Sequence, residues 1–264
     1  MFDGVRSAAR ESALRALWDI PRLRRHPVWR TADPDRGGGL GVVLVPGFGA
    51  GGVSLSPAGS WLRARGYRPV LAGVGFTVGC TADLLAKVLR STEEHAERTS
   101  RPVVLLGQSR GGGLARLAAA RRPDLVRGLV MIGSPVLDPL GAHPDVMRIA
   151  RFLTRLAAAG VPGLLDDDCM RGPCFEEHVR TLAEPLRVPA ISIFSRSDGV
   201  VPWQLCQDPC AECVEVHSTH TGMAFDPKVY ELLGPRLAGW VTGTTRASSS
   251  CPSTTSSSPI VPCG

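Results

Sequence analysis

The segment Gly107-Gln108-Ser109-Arg110-Gly111 places a serine between two glycines, each two residues away. A serine hydroxyl is a weak nucleophile until a neighbouring base takes its proton. The chemistry to look for is therefore acyl transfer by a serine with a histidine and an acid behind it. The motif alone is weak: with 30 glycines and 20 serines among 264 residues, chance supplies about 0.3 matches. Its setting raises it. Val103–Leu106 reads as a buried strand, and Leu114–Arg122 as an Ala- and Leu-rich helix stopped by Pro123. That is the strand–turn–helix context of a nucleophile elbow. In such a turn the serine adopts a strained backbone, small residues two before and two after remove the clash, and the following helix aims its N-terminus at the site. The other use of a Gly-rich turn, phosphate binding, calls for Gly-x-Gly-x-x-Gly or Gly-Lys-Ser/Thr, and this turn has neither.

In a site of this kind the acid and then the histidine follow the serine along the chain. The histidines after Ser109 are His143, His178, His217 and His220. His220 falls in a loop just before Gly222, where a base can swing over the serine; His217, closer to the preceding strand, is its rival. His143 and His178 lie in a strand-free stretch and read as surface groups. Asp198, in Arg196-Ser197-Asp198-Gly199 after the strand at 190–195, is placed to orient the imidazole and stabilise the imidazolium. It could also be an ordinary Asp-Gly turn, with Asp138 as the substitute acid. The triplet Asp166–Asp168 reads as a solvated loop. An oxyanion hole needs two backbone N–H groups. The expected donors are Arg110, just after the nucleophile, and Phe48 in the loop Val45-Pro46-Gly47-Phe48-Gly49-Ala50-Gly51-Gly52, which could otherwise be a flexible Gly-rich turn.

The elements that must hold these residues follow from hydropathy. Residues 5–25 read as an amphipathic helix with Ala13, Leu14, Leu17 and Trp18 inward and arginines outward. Apolar runs at Leu40–Val45, Tyr67–Val74, Val103–Leu106, Gly128–Ile132, Ala190–Phe194 and Cys213–Val216 read as strands. Helical spacing appears at Ala58–Arg65, Cys80–Thr99, Leu114–Arg122 and Pro227–Val241. Strands alternating with helices mean an α/β fold, a mostly parallel sheet covered on both faces. Residues 138–187 carry only helical pieces. From Thr242 to Gly264, Ser, Thr and Pro dominate, which reads as a disordered tail.

Leu-Val-Pro-Gly-Phe-Gly at 44–49, Gly-Gln-Ser-Arg-Gly-Gly at 107–112, Gly-Ser-Pro at 133–135, Ser-Asp-Gly-Val-Val-Pro at 197–202 and His-Thr-Gly-Met at 220–223 together resemble the α/β-hydrolases, above all small bacterial lipase- and esterase-type members. The resemblance covers about residues 38–241. It implies one α/β-hydrolase domain there, an N-terminal helix and linker over 1–37, and a small helical cap at about 138–187. Phe152, Leu153, Leu156, Leu164 and Leu165 would give that cap an apolar underside, or simply pack in a core. It implies a serine hydrolase that cleaves carboxylic esters through an acyl-enzyme, with Ser109 as nucleophile, His220 as base and Asp198 as acid, and with no cofactor. The alternative is a thioesterase or acyltransferase using the same triad on a carrier-bound acyl group; the basic N-terminal helix could dock an acidic carrier. A non-catalytic binding protein on the same fold is the third reading, against which the intact triad argues. Three positions depart from the family pattern: Pro46 and Gln108 stand where histidines are usual, and Arg110 where an apolar residue is usual. Arg110 either lines the pocket and favours an anionic acyl group or points outward.

The net charge of +6 comes almost wholly from arginine, Lys87 and Lys228 being the only lysines; it gives no argument for a nucleic-acid partner. No stretch reaches the roughly 20 apolar residues of a membrane span. Composition also excludes collagen, a coiled coil and a wholly disordered chain. Residues 1–30 lack the apolar core of a secretory signal, so the expected setting is cytoplasmic and the eight cysteines mostly free thiols. A bridge between Cys169 and Cys174 or within 206–213 stays open. Cys206-x3-Cys210-x2-Cys213 with His217 offers zinc or cluster spacing, but free thiols or a local disulfide fit better, and no metal is expected.

Overall fold

The computed structural model describes the backbone of residues 13–243, and side chains from residue 19 onward. The predicted helical residues 5–12, the inward side chains proposed at 13, 14, 17 and 18, and the tail from 244 lie outside the described residues. The chain opens with α1 (Ala13–Arg25) and α2 (Pro27–Arg30), then runs β1 (Gly41–Val45), α3 (Ser56–Arg63), β2 (Arg68–Leu71) and α4 (Thr81–Thr99). It continues through β3 (Val103–Gln108), α5 (Arg110–Arg121) and β4 (Val126–Ile132). The strand-free stretch holds α6 (Pro144–Ala158), α7 (Asp168–Arg171) and α8 (Pro173–Leu182). β5 (Ala190–Phe194), β6 (Glu212–Glu215) and α9 (Pro227–Thr242) complete the fold.

The six strands form one all-parallel sheet in the order β2-β1-β3-β4-β5-β6. Every residue of β1 and β3 is buried, as continuous apolar runs demand when helices cover both faces. The period of two sends alternate side chains to opposite faces. Val43, Val45, Leu105, Leu129 and Met131 pack in the core that takes Leu85 of α4 and Leu114 of α5. Val42, Leu44, Leu106, Val130 and Ile132 pack in the core that takes Leu23 of α1, Trp61 of α3 and Leu237 of α9.

Several expected boundaries moved, three with a clear cause or consequence. β2 is four residues long rather than 67–74, because it pairs only with β1, from Gly41↔Arg68 to Leu44↔Leu71. β6 lies one residue earlier than expected. α5 starts at Arg110 rather than Leu114: Gly111–Gly113 lower helix propensity, but packing overrides it, Gly111 and Gly112 being buried against the sheet.

The cap face also differs. Phe152 is 56% exposed, whereas Leu165 is buried and Leu153 packs against it. On α6 the inward stripe runs through Met147 and Ala150, and Phe152 falls on the other side of the helix.

One buried ion pair was not foreseen. Arg116 of α5 is 2% exposed; its Nε lies 2.8 Å from Asp208 Oδ2, and its Nη2 donates to the Glu184 carbonyl at 2.7 Å. Asp208→Ala is expected to lower unfolding free energy by about 3–5 kcal/mol, because it leaves a buried cation uncompensated. Urea unfolding of the variant beside the parent measures this, and a loss under about 1 kcal/mol would contradict it.

Candidate active site

β3 delivers Ser109 at its C-terminal end, and the chain must turn there into α5 without an intervening loop. Ser109 carries the strain, with φ 55° and ψ −128°. A non-Gly residue held there costs about 1–3 kcal/mol, and its surroundings must over-determine it. They do. The Ser109 N–H donates to the Ile132 carbonyl at 2.8 Å, and the Ser109 carbonyl accepts from Gly112 N–H at 2.9 Å. A Cβ on Gly107 would lie 2.4 Å from the Gly111 carbonyl oxygen, and one on Gly111 2.2 Å from that of Val45. The two flanking glycines are thus required by contact, as the spacing predicted.

Asp198, in the turn after β5, is buried with both oxygens engaged. Oδ1 accepts from the N–H groups of Val200 and Val201, each at 2.8 Å, and Oδ2 lies 2.7 Å from His220 Nδ1. An ionised carboxylate only accepts, so Nδ1 carries the donated hydrogen and the Nε2 lone pair is the one suited to take a proton. Gln108 Nε2 donates to the His220 carbonyl at 3.2 Å. The residue before Ser109 thereby ties the histidine loop to the elbow, a role the sequence reading missed. Gly133, just after β4, has Asp198 Oδ2 and His220 Nδ1 at 3.3 and 3.2 Å from where its Cβ would stand. The pair therefore sits over the carboxyl end of β4, the strand beside Ser109, where open parallel sheets bind ligands.

The rivals lie elsewhere. His217 is exposed and faces the Ser197 hydroxyl at 3.4 Å. Asp138 is exposed and accepts from Leu140 N–H within its own turn. His143 accepts from Asp145 N–H at the start of α6. Asp166 accepts from Cys169 N–H, closing the turn into α7.

His178, expected at the surface, is buried at 4% exposure and lines the same cavity as Ser109. Burial lowers its pKa, with Arg121 and Arg110 adding to the effect, so the ring stays neutral near pH 7. The amphipathic pattern of α8 was the available signal: His178 and Thr181 form its buried side.

Arg110 matches neither expected orientation fully. Its side chain reaches into the loop before α4, donating to the carbonyls of Thr77 (2.7 Å) and Gly79 (2.9 Å) and to Thr81 Oγ1 (2.9 Å). The guanidinium also sits 5.8 Å from the Phe48 ring centroid, and burial pulls its pKa below the ordinary guanidinium value. It walls the pocket while its donors serve the loop, so it offers little to an anionic acyl group. Thr77 in turn donates to the Pro46 carbonyl at 3.2 Å. The backbone N–H groups of Phe48 and Arg110 have no acceptor among the described residues. The cavity beside Ser109, about 110 Å³, opens to solvent and is walled by Phe48 and Leu114 from the core and Met147, Ala150 and Leu165 from the cap.

Most of the described cysteines are in no disulfide, as expected. Cys206 and Cys213 form no disulfide and Cys210 is disulfide-bonded, so 206–213 closes no bridge on itself.

A family model described as the alpha/beta hydrolase family matches residues 42–245. The chain belongs to the alpha/beta hydrolase family. No curated protein matches the sequence. Among solved structures, this hydrolase is similar to one from a study of LipS and LipT, two metagenome-derived lipolytic enzymes (TM-score 0.56, 18% identity, covering 78% of this chain and 94% of that one). It is also similar to monoglyceride lipase from Saccharomyces cerevisiae (TM-score 0.54, 15% identity, 79% and 88%). A thioesterase domain from the curacin biosynthetic pathway is a further match (TM-score 0.50, 14% identity, 76% and 91%). At these identities the likeness is one of fold. Among the described residues no helix is long and apolar enough to cross a membrane.

Proposed function

We propose that this hydrolase cleaves carboxylic esters of short acyl groups through an acyl-enzyme on Ser109. The observation that carries the reading is the placing of a strained Ser109 and a buried Asp198–His220 pair at neighbouring strand ends, with an apolar cavity opening on the serine. In this reading Ser109 Oγ attacks the ester carbonyl as His220 Nε2 takes its proton, and Asp198 stabilises the imidazolium that results. The carbonyl oxygen gains negative charge and is met by the N–H groups of Phe48 and Arg110; one such donor is worth about 10²–10³ in kcat. His220 returns the proton to the departing alkoxide. Water then attacks the acyl-enzyme by the same route, with His220 again as base, and frees the acid.

The small volume of the cavity favours short acyl groups. A dry cavity of about 150 Å³ accepts benzene, and this one, at about 110 Å³, is smaller. Across a series of p-nitrophenyl esters from acetyl to dodecanoyl, kcat/KM is expected to peak at acetyl to butanoyl and fall by about tenfold or more at dodecanoyl, a loss of about 1.4 kcal/mol of transition-state stabilisation. A peak at the long end would refute the acyl-size reading and leave the nucleophile untouched. Turnover of acyl thioesters with no ester turned over would move the substrate to the thioester class. Absence of any turnover, together with no fluorophosphonate labelling of Ser109, would refute the serine hydrolase reading itself.

A further inference from the structure

At the cap wall of the cavity that holds Ser109, three thiols far apart in the sequence meet. Cys80 directly precedes α4, Cys169 lies on α7 and Cys174 on α8, and their sulfurs all lie within 4.8 Å of one another. The Cys80–Cys174 separation is 3.9 Å and Cys169–Cys174 is 3.7 Å. A disulfide holds its sulfurs about 2 Å apart and uses only two of them. Around tetrahedral zinc, Zn–S bonds of about 2.3 Å set ligand sulfurs about 3.8 Å from each other, which matches the two separations that Cys174 makes.

Among the described residues the three sulfurs alone share this spacing, and His178 is a further donor beside one of them. His178 follows Cys174 by one turn of α8, and its Nδ1 lies 3.8 Å from Cys174 Sγ. The Thr81 N–H donates to Cys169 Sγ at 3.3 Å, a bond that would orient a thiolate ligand and moderate its charge. Three thiolates, one neutral imidazole and Zn²⁺ sum to a single negative charge. The Arg110 guanidinium is the neighbouring cation, electrostatically coupled to all three sulfurs.

We propose that Cys80, Cys169 and Cys174 form a structural zinc site that fastens the cap to the loop before α4, with His178 turning from beside Cys174 to become the fourth ligand. Four protein ligands close the coordination sphere, so the ion serves the fold rather than the ester chemistry. Binding releases the three thiol protons and leaves the electron count of every sulfur unchanged. The site would hold α7 and α8 against the loop that Arg110 grips, and so fix the cap wall of the cavity. It stands whether or not Ser109 is a nucleophile.

The test is zinc content and cobalt spectroscopy on the full chain, purified without chelator under reducing conditions. Elemental analysis is expected to find about one zinc per chain in the parent and in a Cys213→Ser control, with affinity falling about tenfold or more in Cys174→Ser and weakening in His178→Ala. Cobalt exchanged into the parent should give the visible bands of a tetrahedral thiolate site, and these should be lost in Cys174→Ser. If Cys174→Ser does not fold, the cobalt spectrum of the parent decides alone. Two results would overturn the proposal: a fully reduced parent that holds neither zinc nor cobalt, or an intact mass two hydrogens light with a peptide cross-link between two of the three cysteines.

Discussion

Ser109→Ala is expected to lower kcat/KM for p-nitrophenyl butanoate by at least about 10³-fold, and by up to about 10⁶-fold if the triad works as one unit, with unfolding free energy changed little. The loss should be this large because water must then attack without a covalent intermediate, leaving only the oxyanion donors and substrate binding to lower the barrier. Stability should hold because alanine meets the same backbone strain at φ 55° as serine does, and the Ser109 N–H bond to Ile132 is made by the main chain. Initial rates with circular dichroism and urea unfolding on the same preparations separate the two effects. A variant that keeps more than about a tenth of the parent rate would remove Ser109 from the mechanism.

Asp198→Asn carries the second large effect, a fall in kcat of about 10⁴, or about 5.5 kcal/mol at the transition state. The geometry dictates which way the new amide must face. Oδ1 is held by two backbone N–H groups, from Val200 and Val201, and only an oxygen can accept them. The amide nitrogen must then face His220 Nδ1, which becomes the acceptor, and the ring proton moves to Nε2. A ring in that tautomer cannot take a proton from serine. Asp138→Asn and His217→Ala leave this arrangement intact and should stay within about threefold of the parent. Loss of activity in Asp138→Asn with retention in Asp198→Asn would exchange the two acids.

Legibility in the sequence tracked distance along the chain. β1, β3 and β5 could be read because a strand buried on both faces is a short continuous apolar run, as in Gly41–Val45. The elbow could be read because strand, glycines and helix start lie within a few residues. The pairing of Asp198 with His220 spans 22 residues and was reached through chain order, not periodicity. What stayed hidden rests on contacts with no local trace. Arg116 meets Asp208 across 92 residues, and Cys80 meets Cys174 across 94. The cysteines at 206–213 share a local spacing, whereas the cluster of Cys80, Cys169 and Cys174 has none that joins all three. Phe152 was assigned inward because it is large and apolar, but on α6 the direction of a side chain is set by its place in the turn, and the turn carries it outward.

The strand order also bears on how this chain behaves beside copies of itself. An open parallel sheet ends in two unpaired strand edges, each a template for a foreign strand. Here both edges are four residues long. On β2 the Arg68 and Ala72 N–H groups turn inward to the Leu40 and Leu44 carbonyls, so alternation turns the nitrogen of Pro69 outward, where it has no hydrogen to offer. On β6, Glu212 and Glu215 flank the strand, each paired with an arginine, Arg236 and Arg196. A newcomer would have to align with a missing donor on one side and displace two ion pairs on the other. The ends of the sheet thus act as guards against edge-to-edge aggregation.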